Sequence, residues 1–119
     1  MPNTIEIKIS ERSLFADGHE FGDSGAYERL TGRAYFAVDP KATGQTSIAD
    51  INHAPLNSDG LVGFASDIFI LKPLDPVRGN RRLFFDYGNR GNKRAMQFFN
   101  DAPASNEPKT LYDAGNGYL

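Results

Sequence analysis

Apolar and polar residues alternate near the beginning of the chain, where Ile5, Ile7 and Ile9 are separated by polar side chains. An alternation with a period of two places every second side chain on the same face of a β-strand. Residues 4–10 are therefore predicted to form a strand that has one buried apolar face and one face in water.

A longer apolar run, residues 61–73, predicts the strongest strand of the chain. Both of its faces carry apolar side chains, with Phe64 and Ile68 on one face and Phe69 and Leu71 on the other. Strands that are apolar on both faces are typical of the interior of a sheet. This strand is therefore expected to be central.

Shorter runs predict the rest of a mostly antiparallel sheet. GRAYFAVDP, residues 32–40, is predicted to be a strand that ends at a turn, and IADI, residues 48–51, is a short strand candidate. RRLFFDYG, residues 81–88, is predicted to pair antiparallel with the strand at 61–73. The predicted class is α+β and mostly β, with four or five antiparallel strands, one short helix and long loops.

The predicted helix, residues 93–100, follows a glycine-rich loop. Gly88 and Gly91 permit a positive φ in that loop. A strand, a bent loop and a helix N-terminus can together present backbone N–H groups to an anion. The candidate residues of an anion-binding or oxyanion-binding loop are Asn89, Arg90, Gly91 and Asn92. A plain strand-to-helix turn is the alternative, because neither the phosphate-loop pattern nor the dinucleotide pattern of glycines is met.

Composition narrows the classes of function. The 119 residues suit a single β-rich domain, and 13 basic against 15 acidic residues give a net charge of −2. Without a basic excess, neither nucleic acid nor a membrane surface is an expected partner. The absence of cysteine excludes disulfides and a cysteine nucleophile. No long apolar run or signal-peptide profile is present, so the compartment stays open, with the cytoplasm as the default.

Side chains that could carry chemistry are few and scattered. GDSG, residues 22–25, resembles the serine segment of trypsin-like proteases, but a polar turn explains it better. No serine lies in a Gly-x-Ser-x-Gly frame, which a nucleophile elbow requires. His19 and His53 lie in separate loops, so a small metal-binding or sugar-binding enzyme is the least favoured hypothesis. No catalytic residue, metal ligand or cofactor is assigned.

Asp67 is a carboxylate inside the strongest predicted strand. Burying it unpaired would be costly. It is therefore expected to face outward or to pair with Arg33, Arg81 or Arg82, and a catalytic role is the minor alternative.

Four blocks of the sequence resemble the first part of the α/β-hydrolase domain-containing proteins, a family of large serine hydrolases. The blocks are YERLTGRAYFAVDP, IADINHAPLNSDGLVGFASDIFILKP, GNRRLFFDYGNRGNKRAMQFFNDAP and DAGNGYL. They extend from about residue 25 to residue 119 and match in order and spacing.

The resemblance implies the strands that open an α/β-hydrolase sheet, with Asn89, Arg90 and Gly91 in place of the loop that lends a backbone N–H to the oxyanion hole. Full members are several times longer, and their nucleophile elbow lies further on. No catalytic Ser, Asp or His can therefore be carried over. The chain also ends on an apolar pair after a glycine loop, so we expect a truncated, non-catalytic N-terminal part of a hydrolase of esters, amides or lactones.

Two expectations about partners follow. A fragment of a larger sheet is expected to bind the remainder of its longer parent chain, or to self-associate through exposed strand edges. The alternative is an autonomous β-rich binding or interaction module of unknown ligand, which is expected to be a stable monomer.

Overall fold

A three-stranded antiparallel sheet is the main element of the computed structural model, which describes residues 3–88, 90–117 and 119. The strands are β1 (Thr4–Leu14), β2 (Tyr27–Val38) and β3 (Val62–Pro73), in the order β1-β2-β3. Two short helices follow, α1 (Ala95–Phe99) and α2 (Leu111–Ala114). The predicted mostly β class with antiparallel strands is confirmed.

The chain packs into two compact units. Among the described residues, the first unit comprises 3–11 and 31–69, and the second comprises the remainder. Each strand contributes residues to both units.

β3 lies at an edge of the sheet, so the prediction that it is central is wrong. Phe64 is 51% exposed and stacks on Phe36 with 4.8 Å between ring centroids. β2 is central instead, although its buried residues include the charged side chains of Glu28 and Arg29. The prediction was based on the two apolar faces of β3, whereas the strand that lies at the centre carries two buried charged side chains.

β1 is confirmed as a strand and continues to Leu14, but its predicted buried face is wrong. Ile5, Ile7 and Ile9 are 68%, 55% and 40% exposed. An alternating pattern specifies which side chains share a face of the strand. It does not supply a second layer for that face to pack against.

Two predicted strands are absent from the described residues. Residues 48–51 lie in turns that lead to a 3-10 turn at Ile51–His53. Residues 82–88 do not pair with any described strand through backbone hydrogen bonds, so the predicted hairpin with β3 is wrong. The left-handed backbone at Arg81, with φ of 61°, interrupts the extended path that the second strand of such a hairpin needs.

The apolar core of the second unit is small and aromatic. Phe15, Ala16 and Ala114 are buried, and four partly buried side chains pack around them, namely Phe21, Tyr27, Leu71 and Met96. The predicted helix is confirmed as α1, which directs Met96 to this core. Helix α2 was not predicted, although a capping box between Thr110 and Asp113 marks its beginning.

Glu28 ties the three strands together within the second unit. Its buried carboxylate accepts a hydrogen bond from Lys72 Nζ of β3 at 2.6 Å, and Arg12 Nη1 of β1 lies 3.7 Å away. The hydrogen bond from Lys72, together with the charges of Arg12 and Lys72, holds the pKa of Glu28 below its usual range despite burial. One carboxylate in the central strand therefore binds a cation from each neighbouring strand.

Asn100 fixes the C-terminal residues to the end of α1. Its side chain is buried, donates to the carbonyl oxygen of Ala114 at 2.6 Å, and accepts from the N–H groups of Gly117 at 3.1 Å and Leu119 at 2.8 Å. Gly115, with φ of 66°, lies so close that a Cβ there would collide with the Asn100 carbonyl oxygen. A single amide thus satisfies three backbone groups.

Replacing Lys72 by Met is expected to lower the free energy of unfolding at pH 7, because Glu28 then loses its main hydrogen-bond donor. A lowered pKa stabilises the fold above the ordinary carboxyl pKa, and this contribution disappears as the pH falls through the folded value. The deficit of the variant should therefore shrink below about pH 4. Urea unfolding at both pH values measures it.

The control for this substitution is Lys41→Met, which makes the same charge change at an exposed position. It should leave the unfolding free energy within about 0.5 kcal/mol of the parent chain. A Lys72→Met deficit that is equal at both pH values would show that the Glu28 pair contributes nothing.

Replacing Asn100 by Ala leaves three backbone groups without their side-chain partner. We expect a loss of about 1–3 kcal/mol in the free energy of unfolding. Asn80→Ala is the matched control, because Asn80 is exposed and its side chain accepts one hydrogen bond, from the N–H of Arg82. Equal urea midpoints for the two variants would refute the role given to Asn100.

Candidate functional site

The candidate site is the loop that leads into α1. Asn89, one of its four predicted residues, lies outside the described residues. Gly88, Arg90 and Gly91 have φ values of 73°, 55° and 76°. The left-handed backbone is costly for Arg90, since it carries a Cβ, and costs little for the two glycines. The loop is therefore held in a bent conformation that most sequences would avoid.

Asp86 holds the N-terminus of α1. Its carboxylate accepts hydrogen bonds from the N–H groups of Gly88 at 2.9 Å, Arg94 at 2.9 Å and Ala95 at 3.0 Å. The hydrogen bond from Arg94, followed by those from Gly88 and Ala95, holds the pKa of Asp86 below its usual range. The sequence predicts an anion at this helix N-terminus, and an internal carboxylate occupies the position.

Asn106 fastens the other side of the loop. Its Oδ1 accepts from the N–H of Lys93 at 2.8 Å, its backbone oxygen accepts from Lys93 Nζ at 2.7 Å, and its Nδ2 donates to Asn92 Oδ1 at 3.1 Å. The amide of Asn92 is thereby turned toward its own chain. The sequence separation of 14 residues hid this contact from a local pattern.

Two backbone donors of the loop remain exposed. Within the described residues, the N–H groups of Arg90 and Gly91 have no hydrogen-bond acceptor. Both residues are exposed, and the loop on their C-terminal side is fixed by Asp86 and Asn106. These two N–H groups are the part of the predicted site that could bind an oxyanion.

An open apolar hollow lies beside the loop. It has a volume of about 580 Å³ and is lined chiefly by Phe84, Phe85, Tyr87, Arg94, Phe98 and Phe99. The Phe84 and Phe99 rings lie 4.8 Å apart, and the Arg94 guanidinium lies 5.8 Å from the centre of the Phe98 ring. The sequence does not predict the hollow, because the pattern of residues 81–88 predicts a strand there.

The other residues that the sequence offered as candidates lie outside this site. The histidine ring of His19 packs edge-on against Phe21, 4.9 Å away, and no cluster of metal-ligating side chains occurs in the described part of the chain. Asp67 faces outward at 93% side-chain exposure, with Arg33 at 3.8 Å, so its expected outward, arginine-paired position is confirmed. The serine hydroxyls with hydrogen bonds contact backbone groups, as Ser10 does at the Thr31 carbonyl.

Comparison of the chain with protein-family models, with curated proteins and with solved structures gave no match. In the part of the chain that the structure describes, no helix has the length and apolar character needed to cross a bilayer. The proposals about function therefore depend on the residues and their geometry.

Asp86→Asn is expected to lower the free energy of unfolding by about 1 kcal/mol, because hydrogen bonds from backbone N–H groups to a charged carboxylate are stronger than those to a neutral amide. The neutral amide has one acceptor oxygen, and its NH₂ group would face backbone N–H groups. The contribution of Asp86 is fully present above the ordinary pKa of aspartate and is lost as the pH falls through the lowered folded value. The difference from the parent chain should therefore narrow below about pH 4.

Asp59→Asn serves as the control, because Asp59 is exposed and the charge change is the same. It should change the unfolding free energy by less than about 0.5 kcal/mol. If thermal or urea unfolding shows the same effect for both variants at pH 7, Asp86 does not cap the helix.

Proposed function

We propose that this chain is a non-catalytic, β-rich region of a serine hydrolase that acts on an ester, amide or lactone. The four sequence blocks that resemble the α/β-hydrolase domain-containing proteins give the reaction class. Within this proposal, the remainder of a longer parent chain carries the nucleophile, and the loop at residues 89–92 contributes a backbone N–H to the oxyanion hole.

The observation that carries the proposal is the exposed apolar segment directly before the loop, residues 82–88. Leu83, Phe85 and Tyr87 alternate along an extended stretch and are 89%, 73% and 88% exposed. The residues between them face their own chain, since Phe84 contacts Phe99 and Asp86 caps α1. A segment with the pattern of a strand, fixed on one face and apolar on the other, is suited to pairing with further polypeptide.

The exposed loop donors fit the chemical role. An oxyanion hole works because its donors are held in place before charge develops on the substrate. The hydrogen bonds of Asp86 and Asn106 supply such support beside Arg90 and Gly91. One donor of this kind contributes roughly 3–4 kcal/mol to the stabilisation of a transition state. It has no effect without a nucleophile directed at the same carbonyl carbon.

An autonomous interaction module is the second candidate. Its support is that several polar groups of the second unit are satisfied internally, through Glu28, Asn100 and the Thr110–Asp113 capping box. A stable monomer in light scattering, with one cooperative unfolding transition, would favour this module over a region of a larger sheet.

The proposal predicts that the 119-residue chain does not react covalently with a fluorophosphonate probe and does not accelerate hydrolysis of p-nitrophenyl acetate. The physical reason is that no serine has a nucleophile-elbow frame. Intact-protein mass spectrometry, with a heat-denatured sample as the control, measures labelling. A stoichiometric adduct on a serine of the folded chain would contradict the proposal.

A further inference from the structure

Within the described part of the chain, β1 has one open edge. β1 is the first strand in the sheet order, so β2 pairs with one side of it and no described strand pairs with the other. Every residue of Thr4–Glu11 is exposed. A long edge strand with an apolar face invites pairing with another strand unless charges or a bulge prevent it.

The β1 sequence is complementary to the β1 sequence of a second copy in the antiparallel orientation. If Ile7 lies opposite Ile7 of a second copy, then Ile5 lies opposite Ile9 and Glu6 lies opposite Lys8. The apolar residues then face apolar residues on one side of the sheet. On the other side, two pairs of opposite charges form, which is the favourable cross-strand arrangement.

Neighbouring registers lack this match. The two copies would be related by a two-fold axis perpendicular to the sheet. The residue beside this axis lies opposite the same residue of the second copy. With Glu6 or Lys8 at the axis, like charges face each other directly, which is unfavourable. With Ile9 at the axis, Ile7 lies opposite the charged Glu11. The register centred on Ile7 alone pairs both charges and keeps the isoleucines together.

The charges of Glu6 and Lys8 make exposed contacts within one chain, where Lys8 Nζ also lies 5.2 Å from the centre of the Tyr35 ring. Within one chain, Lys8 Nζ lies 3.7 Å from Glu6 Oε1, with side-chain exposures of 63% and 67%. An exposed pair of this kind contributes little to stability. Exchanging it for pairs with a second copy therefore meets little resistance.

We propose that two copies of this chain associate through β1, antiparallel and centred on Ile7, to form a continuous six-stranded sheet. The occupant of the open edge is a second copy, because the complementarity of Glu6 and Lys8 is satisfied by the same sequence in reverse. The inference does not depend on the proposed hydrolase function, because it is argued from the sequence and the exposure of β1 alone.

Single cysteines test the register, since the chain contains none of its own. Residues directly opposite have Cα atoms about 4.5–5.5 Å apart, which a disulfide can span. Ile7→Cys should therefore form a covalent dimer under mild oxidation. Ile5→Cys is the control, because residue 5 of one copy would be offset from residue 5 of the other by four residues along the strands, about 13 Å.

The control thiol is the more accessible one, since Ile5 is 68% exposed and Ile7 is 55% exposed. Random collision would therefore favour Ile5→Cys. Cross-linking that is at least ten-fold faster for Ile7→Cys supports the proposed register. Equal rates, or faster cross-linking of Ile5→Cys, would overturn it.

A charge exchange tests the pairing without cysteine. Lys8→Glu places like charges opposite each other and should raise the dimer dissociation constant about ten-fold in sedimentation equilibrium. The double variant Glu6→Lys with Lys8→Glu restores opposite charges by symmetry and should restore association. If the parent chain stays monomeric at every concentration in sedimentation equilibrium, the proposal is refuted.

Phe85→Lys tests whether association uses β1 or the other exposed apolar segment, residues 82–88. It should leave the dissociation constant unchanged, because Phe85 lies outside β1. If Phe85→Lys abolishes association while Lys8→Glu does not, the chain self-associates through residues 82–88 and not through β1. Circular dichroism confirms that each variant is folded.

Discussion

A single buried carboxylate constrains the sheet of the second unit. Glu28, in the central strand, lies between Arg12 of β1 and Lys72 of β3, and the lowered pKa shows that its charged form is favoured there. The Glu28 side chain is only 7% exposed, and a buried carboxylate that loses one of its cations is less well compensated, which is unfavourable. The three strands are therefore coupled, because displacing either neighbouring strand would remove one of the two cations that face Glu28.

The same use of polar groups recurs at the ends of the helices. Asp86 caps α1, Asn100 binds the residues after α2, and Thr110 with Asp113 caps α2. The apolar core around Phe15 and Ala114 is small. Specific hydrogen bonds therefore fix the loops of this unit, where a larger domain would rely on apolar contacts. This explains how short helices of five and four residues persist in it.

Sequence patterns predicted the local elements better than their arrangement. The alternation at Ile5, Ile7 and Ile9 identified β1, and the run at residues 61–73 identified β3, because strand geometry depends on neighbouring residues. Sheet order and burial depend on distant contacts, such as Glu28 with Lys72, which a local pattern does not contain. The capping box at Thr110 and Asp113 is a local signal that does predict the beginning of α2.

The candidate loop shows the same division between local and distant information. Glycines at 88 and 91 predicted a bent backbone, and both have positive φ. The pattern did not reveal that Asp86 binds the amides of α1, because any strand–loop–helix sequence presents such amides. An internal anion at the helix N-terminus moves the candidate donors into the loop, to Arg90 and Gly91.

Polar groups inside and apolar groups outside give this chain an unusual distribution of side chains. Glu28, Arg29 and Asn100 are buried, whereas three isoleucines of β1 and the residues Leu83, Phe85 and Tyr87 are exposed. The buried groups are paired, so the distribution is compatible with a defined fold. Exposed apolar surface is unfavourable in water and is reduced by association. The two bare strand-like segments differ in what can cover them. β1 carries charges that match its own sequence in the antiparallel direction, as the proposed pairing with a second copy requires, whereas residues 82–88 adjoin the loop for which the proposed function requires further polypeptide.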